Sequence, residues 1–172
     1  MSEELGKTVL VVDDEADVRK YLSQALEDAG FNVVTATDGD EALQVVKKNP
    51  PDIISLDLVM PKKSGARFHR ELSKNNQWSK IPVLIVTGHA RDDLGKADLR
   101  DLTISGPGIY LEKPVKPHNY IAAIKKLLGM EINGTEATLA REVELQNELK
   151  NLIDDADATT LEALKAIINK KI

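Results

Sequence analysis

Short apolar runs alternate with amphipathic ones over the first 129 residues, and this alternation constrains the fold more than any other feature of the chain. The apolar runs have the length of buried strands, and they are predicted at residues 8–12, 32–36, 52–56, 81–86 and 109–111. After each of them, apolar residues recur at helical spacing, which predicts helices at residues 16–29, 40–48, 65–74, 91–102 and 117–128. Strands that alternate with helices predict an α/β fold, in which an open parallel sheet is covered by helices on both faces.

Residues that can bind a metal ion or a phosphoryl group follow four of the predicted strands. Asp13 and Asp14 come after the first strand, Asp57 after the third, Thr87 after the fourth and Lys113 after the fifth. Each residue alone has an ordinary explanation, as a helix cap, a turn residue or a solvated charge. Because the carboxyl ends of parallel strands converge on one crevice, we expect these side chains to lie together, with Asp57 held rigidly and still reaching solvent. Carboxylates beside a hydroxyl and an ammonium suit the Mg²⁺-assisted transfer of a phosphoryl group to an aspartate.

The spacing of these residues resembles that of the receiver domain of bacterial two-component response regulators. The pattern also includes Met60-Pro61, Gly65 and the segment from Tyr110 to Pro114. The resemblance extends over about residues 6–129 and implies a doubly wound, flavodoxin-like sheet of five parallel strands in the order 2-1-3-4-5.

The resemblance implies that Asp57 is the phosphoacceptor. It would receive the phosphoryl group from a sensor histidine kinase or a phosphotransfer protein. Mg²⁺ would be held by the carboxylates of Asp13, Asp14 and Asp57, together with the backbone carbonyl of Val59. The product would be a covalent aspartyl phosphate.

The resemblance also implies which residues respond to phosphorylation of Asp57. Thr87 and Lys113 would each bind a phosphoryl oxygen, and the Tyr110 ring would fill the space that Thr87 vacates. The peptide bond between Lys113 and Pro114 would be cis. The chain would therefore catalyse only its own phosphorylation and dephosphorylation, and would not be an enzyme with a separate substrate.

Two positions that vary in this family flank the phosphorylation site. They are occupied here by Val59 and His89. Val59 cannot orient a hydrolytic water by a hydrogen bond, so we expect a persistent phosphoryl group.

The pattern changes after residue 129, and we divide the chain into a receiver domain at 1–129 and a two-helix extension at 130–172. Asn133-Gly134 predicts a turn, and Thr159 with Glu162 predicts a capping box at the start of the last helix. Two amphipathic helices cannot bury their apolar stripes alone. We expect them to pack on the last helices of the receiver or across a homodimer, although a linker from a longer protein is an alternative reading.

Composition narrows the possible partners and compartments. The chain has no cysteine, which excludes disulfides and thiolate metal sites. Its net charge of −5 includes a net −4 in residues 130–172, which hold 9 acidic and 5 basic side chains. We therefore expect contact with neither nucleic acid nor membrane. The acidic N-terminus does not have the pattern of a signal peptide, which favours a cytoplasmic protein.

Two other functions are alternatives to a response regulator that signals through protein contacts. A phosphatase resembling the haloacid dehalogenases would carry a second aspartate two residues after the nucleophile. Here Asp13 is followed by Asp14 and Glu15, and no second aspartate follows Asp57 at that spacing. A phosphorylation-independent adaptor acting through the helical tail would usually lack one of the acidic residues or the lysine, and this chain keeps them all.

Overall fold

Five parallel strands form one sheet in the structure, a computed structural model that describes residues 5–88 and 110–170. The strands are β1 (Thr8–Val12), β2 (Asn32–Ala36), β3 (Ile53–Leu56), β4 (Val83–Thr87) and β5 (Tyr110–Glu112). Their order is β2-β1-β3-β4-β5, and every pair is parallel. The predicted sheet topology is therefore confirmed.

Helices follow the strands as the apolar spacing predicted. They are α1 (Ala16–Asp28), α2 (Gly39–Lys48), α3 (Ser64–Lys74), α4 (Pro117–Leu127), α5 (Gly134–Asp155) and α6 (Ala158–Asn169), and a short 3-10 turn (Pro61–Lys63) precedes α3. The helix predicted at 91–102 and the flanking position His89 lie outside the described residues. In the part of the chain that is described, no helix is long and apolar enough to cross a membrane.

Two apolar layers hold the sheet, one on each face. Val9 and Val11 of β1 pack in one layer with residues of α1 and α4, whereas Leu10 and Val12 pack in the other with residues of α2 and α3. This separation follows from the strand geometry, in which successive side chains point to opposite faces. Burial on both faces fixes the strand register, so the carboxyl ends of the strands are held in place.

Helix α5 packs on the receiver, as one of the predicted arrangements required. Asn133 and Glu136 form a capping box at its N-terminus. Val143 is buried in the same apolar layer as Tyr120 and Ile124 of α4. The tail therefore adds to the core of the receiver through α5.

Helix α6 differs from the prediction at its start and in its packing. Its N-cap is Asp157, which accepts a hydrogen bond from the Thr160 backbone N–H at 2.8 Å. The predicted capping box of Thr159 with Glu162 was wrong, because Asp157 is an equally good cap and the helix begins two residues before that motif would allow. Among the described residues of α6 none is buried, and Ile168 is 59% exposed.

Candidate functional site

Asp57 lies directly after β3, and its backbone is fixed to the neighbouring strand. Its N–H donates a hydrogen bond to the Val12 carbonyl at 2.9 Å. Its side chain is oriented by the Val59 N–H, which donates to Asp57 Oδ1 at 3.0 Å. Asp57 is only 4% exposed, so the expectation that it reaches solvent was wrong. The reason is that the Lys113 side chain lies against it.

Lys113 holds the carboxylates of the crevice together. Its Nζ lies 2.7 Å from Asp13 Oδ2, 3.0 Å from Asp57 Oδ2 and 3.1 Å from Glu15 Oε1. Burial alone would lower the pKa of Lys113, but the hydrogen bonds and charges of Asp13 and Asp57 outweigh it and raise that pKa. The ammonium therefore stays charged, and three carboxylates around one ammonium leave an excess of negative charge.

Asp13, Asp14 and Asp57 form a group that could hold a metal ion. Each offers a carboxylate oxygen, and these atoms all lie within 4.8 Å of one another. Asp13 and Asp57 are buried, whereas Asp14 is exposed and gives the group an opening to solvent. A hard divalent cation that keeps several of its waters, such as Mg²⁺, suits a partly open set of carboxylates.

Two residues that the sequence analysis missed support Asp13. The Glu15 N–H donates to Asp13 Oδ1 at 2.9 Å, and Arg19 Nη1 donates to the Asp13 carbonyl at 2.8 Å. Glu15 also pairs with Lys113. The only sequence signal for Glu15 is its position beside the two aspartates. Arg19 has no such signal, because its position in the pattern of α1 indicates only a residue of a helix.

The ends of β4 and β5 bring Thr87 and Lys113 to the same edge. Thr87 is 1% exposed, and its carbonyl accepts a hydrogen bond from the Lys113 N–H at 3.1 Å. Tyr110 is buried and pairs in register with Ile85, two residues before Thr87. The peptide bond between Lys113 and Pro114 is cis, as predicted.

Gly65 allows α3 to approach Asp57 closely. A Cβ atom at this position would lie 2.2 Å from the Asp57 carbonyl oxygen and 2.9 Å from Leu58 Cα. No side chain fits there, so the glycine sets the position of the turn that carries Asp57. Val59 lies on the same turn and is 38% exposed, at the rim of the crevice.

Comparison with known proteins agrees with this geometry. The family model of the response regulator receiver domain matches residues 9–125. The chain belongs to the response regulator receiver family.

Curated relatives of this receiver are longer than it is. The phosphate regulon transcriptional regulatory protein PhoB of Pseudomonas aeruginosa is 33% identical over 124 residues, which are 72% of this chain and 52% of PhoB. The ycf27 protein of Cyanophora paradoxa is 37% identical over 134 residues, which are 77% of this chain and 52% of ycf27. The chain thus spans about half the length of these relatives.

Solved receiver structures have the same fold. The chemotaxis protein CheY4 of Vibrio cholerae is 30% identical with a TM-score of 0.61, and the match covers 70% of this chain and 98% of CheY4. The receiver domain of NtrX from Brucella abortus is 28% identical with a TM-score of 0.62, covering 72% of this chain and 99% of that domain. The predicted family and fold are therefore confirmed.

Proposed function

We propose that this receiver is a phosphorylation-dependent switch in which Asp57 accepts the phosphoryl group. The observation that carries the proposal is the position of the Asp57 carboxylate, bonded to Lys113 and within 4.8 Å of two further carboxylates. A carboxylate oxygen of Asp57 attacks phosphorus, and the bond from phosphorus to the donor atom breaks. The donor leaves with the electron pair of that bond, and an aspartyl phosphate remains.

Each residue of the crevice has a part in that transfer. Asp13, Asp14 and Asp57, with the carbonyl of Val59, are the residues that would hold Mg²⁺. The ion would supply positive charge to offset the charge on the phosphoryl oxygens. Before transfer, the Lys113 ammonium and the Val59 N–H hold the Asp57 carboxylate in one orientation.

Thr87 and Lys113 are the residues that would bind the transferred group. Both lie at the carboxyl edge of the sheet beside the phosphoacceptor, and the ammonium already contacts Asp57. Tyr110 is the residue that would follow the movement of Thr87. In this proposal the chain acts only on its own Asp57.

The proposed partners follow from this chemistry. A sensor histidine kinase or a phosphotransfer protein supplies the phosphoryl group, and a downstream protein reads the phosphorylated state. Residues 130–172 extend the receiver domain, and the exposed apolar residues of this extension would form the contact in a homodimer. The absence of contacts with nucleic acid and membrane, and a cytoplasmic location, stay predictions from charge and sequence.

The test is the intact mass of the protein after incubation with acetyl phosphate and Mg²⁺. We expect one added phosphoryl group in the parent, none in Asp57→Asn, and none in the parent when a chelator removes Mg²⁺. Asp52→Asn is the matched control, because Asp52 lies at the opposite end of β3, where it bonds Lys7 and the Thr8 N–H. An adduct that persists in Asp57→Asn would contradict the proposal, because the phosphoryl group would then be on another residue. No adduct in the parent would contradict it too, and would favour the phosphorylation-independent adaptor.

A second prediction concerns the lifetime of the phosphoryl group. Val59 lies at the rim of the crevice and offers no side-chain hydrogen bond to an attacking water. We expect the Val59→Asn variant to lose the phosphoryl group about tenfold faster than the parent. This factor is below the ~10²–10⁴ of a general base, because an amide orients the water and takes no proton from it. Loss of the adduct is followed by intact mass after acetyl phosphate is removed. Equal lifetimes of seconds in both proteins would show that Val59 does not protect the adduct.

A further inference from the structure

Helix α5 covers the open edge of the sheet. β5 is the last strand in the sheet order, and the N–H of Tyr110 points away from β4. Asn147 Oδ1 accepts a hydrogen bond from this N–H at 3.0 Å, and Asn147 Nδ2 donates to the Val143 carbonyl at 2.6 Å. Asn147 is 7% exposed. An exposed strand edge is a template for pairing with other chains, and here a helix of the same chain occupies it.

Lys150 adds two contacts one turn further along α5. Its Nζ lies 2.6 Å from Glu112 Oε2 and 5.7 Å from the centroid of the Tyr110 ring. An ammonium at this distance from an aromatic face is attracted by the π electrons. Two of the three residues of β5 are therefore in contact with α5.

The first half of α5 is fixed to α4. Lys125 Nζ lies 2.5 Å from Glu136 Oε1, and Lys126 pairs with Glu144. Val143 of α5 is 2% exposed and lies in the apolar layer that contains residues of α1 and α4. Together, α4 and β5 form the surface on which α5 packs, which is the docking face.

The same short strand also belongs to the phosphoacceptor crevice. Tyr110 and Glu112 contact α5, and the next residue, Lys113, contacts Asp57 and Asp13. The Lys113 N–H is bonded to the Thr87 carbonyl. A strand of three residues cannot shift at its crevice end without changing its contacts with α5.

We propose that α5 is an intrachain ligand of the docking face, and that phosphorylation of Asp57 weakens its docking. This inference rests on the proposed function. Phosphorylation replaces the single negative charge of the Asp57 carboxylate by about two on the phosphoryl group, a net gain of about one. The added charge draws the Lys113 ammonium and the end of β5 inward. A Tyr110 ring that follows Thr87 moves away from Lys150, which weakens the ring contact. The inward shift of β5 carries the Tyr110 backbone N–H away from Asn147 Oδ1 and weakens that bond as well.

Release of α5 has two consequences. It uncovers the β5 edge and the apolar surface of α4 for a protein partner, while freeing the apolar side of α5 itself. The coupling is reciprocal, so docked α5 opposes phosphorylation to the same extent that phosphorylation opposes docking. Variants that loosen α5 are therefore expected to favour the phosphorylated state.

Hydrogen exchange on the full chain tests the inference. Amide exchange in residues 134–155 is measured by mass spectrometry with and without acetyl phosphate and Mg²⁺, and the intact mass of the same sample gives the fraction phosphorylated. We expect exchange in α5 to become at least about fivefold faster in the phosphorylated protein, the lower end of common coupling between sites. Exchange in α2, which packs in the apolar layer on the other face of the sheet from α4, is expected to stay unchanged.

Two variants with matched controls test the contacts themselves. Asn147→Ala removes the bond to Tyr110, and Asn151→Ala makes the same change at an exposed position one turn further on. Lys150→Gln removes the bond to Glu112, and Lys165→Gln is its exposed control in α6. Without phosphorylation, we expect faster exchange in α5 and a larger phosphorylated fraction at limiting acetyl phosphate in Asn147→Ala and Lys150→Gln, but not in their controls.

The outcomes separate this inference from the function on which it rests. A phosphoryl adduct on Asp57 with unchanged or slower exchange in α5 would overturn the inference and leave the proposed function standing. No adduct would overturn the proposed function and the inference with it. Equal exchange in Asn147→Ala and Asn151→Ala would show that the bond to the β5 edge does not hold α5.

Discussion

Replacing Lys113 by methionine is expected to lower the free energy of unfolding of the Mg²⁺-free protein by about 3 kcal/mol. The ammonium contacts Asp13 and Asp57, which are 1% and 4% exposed. Methionine fills a similar volume without a charge, so two buried carboxylates would lose their cation. One of them must then take up a proton or draw in water, and either change costs stability.

Urea unfolding followed by circular dichroism measures this effect. Lys20→Met is the control, because Lys20 is an exposed lysine on α1. Added Mg²⁺ is expected to stabilise Lys113→Met more than the parent, since the ion would replace the missing positive charge in the crevice. If Lys113→Met and Lys20→Met unfold at the same urea concentration without Mg²⁺, the ammonium does not hold the carboxylates together.

Replacing Gly65 by alanine is expected to cost about 1–3 kcal/mol of stability, as overpacking of a close contact usually does. The new Cβ would lie 2.2 Å from the Asp57 carbonyl oxygen, and that neighbour is backbone, which cannot rotate away. The turn that carries Asp57 must therefore move. We expect phosphorylation by acetyl phosphate to slow in the folded variant for the same reason.

Gly134→Ala is the matched control for this substitution. Gly134 is the first residue of α5, and a Cβ there would meet no atom within 4 Å. Alanine at this position is expected to leave stability unchanged or to raise it slightly, because it restricts the unfolded chain. Equal unfolding midpoints for Gly65→Ala and Gly134→Ala would mean that α3 can move without cost.

Most strands and helices of the receiver were predictable because the patterns that indicate them involve residues close together in the sequence. The run Val9–Val12 is apolar on both faces of the strand, and helical spacing in residues 16–29 identified α1. The site residues were predictable for a related reason. Parallel strands have their carboxyl ends at one edge of the sheet, so Asp13, Asp57 and Lys113 had to meet once the strands were identified.

In the tail, patterns of neighbouring residues did not predict the cap or the burial of α6. Thr159 matched the capping pattern, but Asp157 competes for the same role, and only the backbone path decides which of them caps α6. The exposed side chains of α6 and the buried ones of α5 have similar patterns in the sequence. The difference arises because α5 has α4 and β5 beside it, and in the described structure α6 buries none of its residues.

The sequence by itself determined the alternation of strands and helices, the sheet edge at which the acidic residues meet, and the family. Tertiary structure decided the burial of Asp57 under Lys113, the pairing of Lys113 with Glu15 across 98 residues, and the docking of α5 on β5. Periodicity and strand ends are properties of neighbouring residues, which a sequence displays directly. Burial and ion pairing depend on which distant segments come into contact, and those contacts exist only once the sheet has formed.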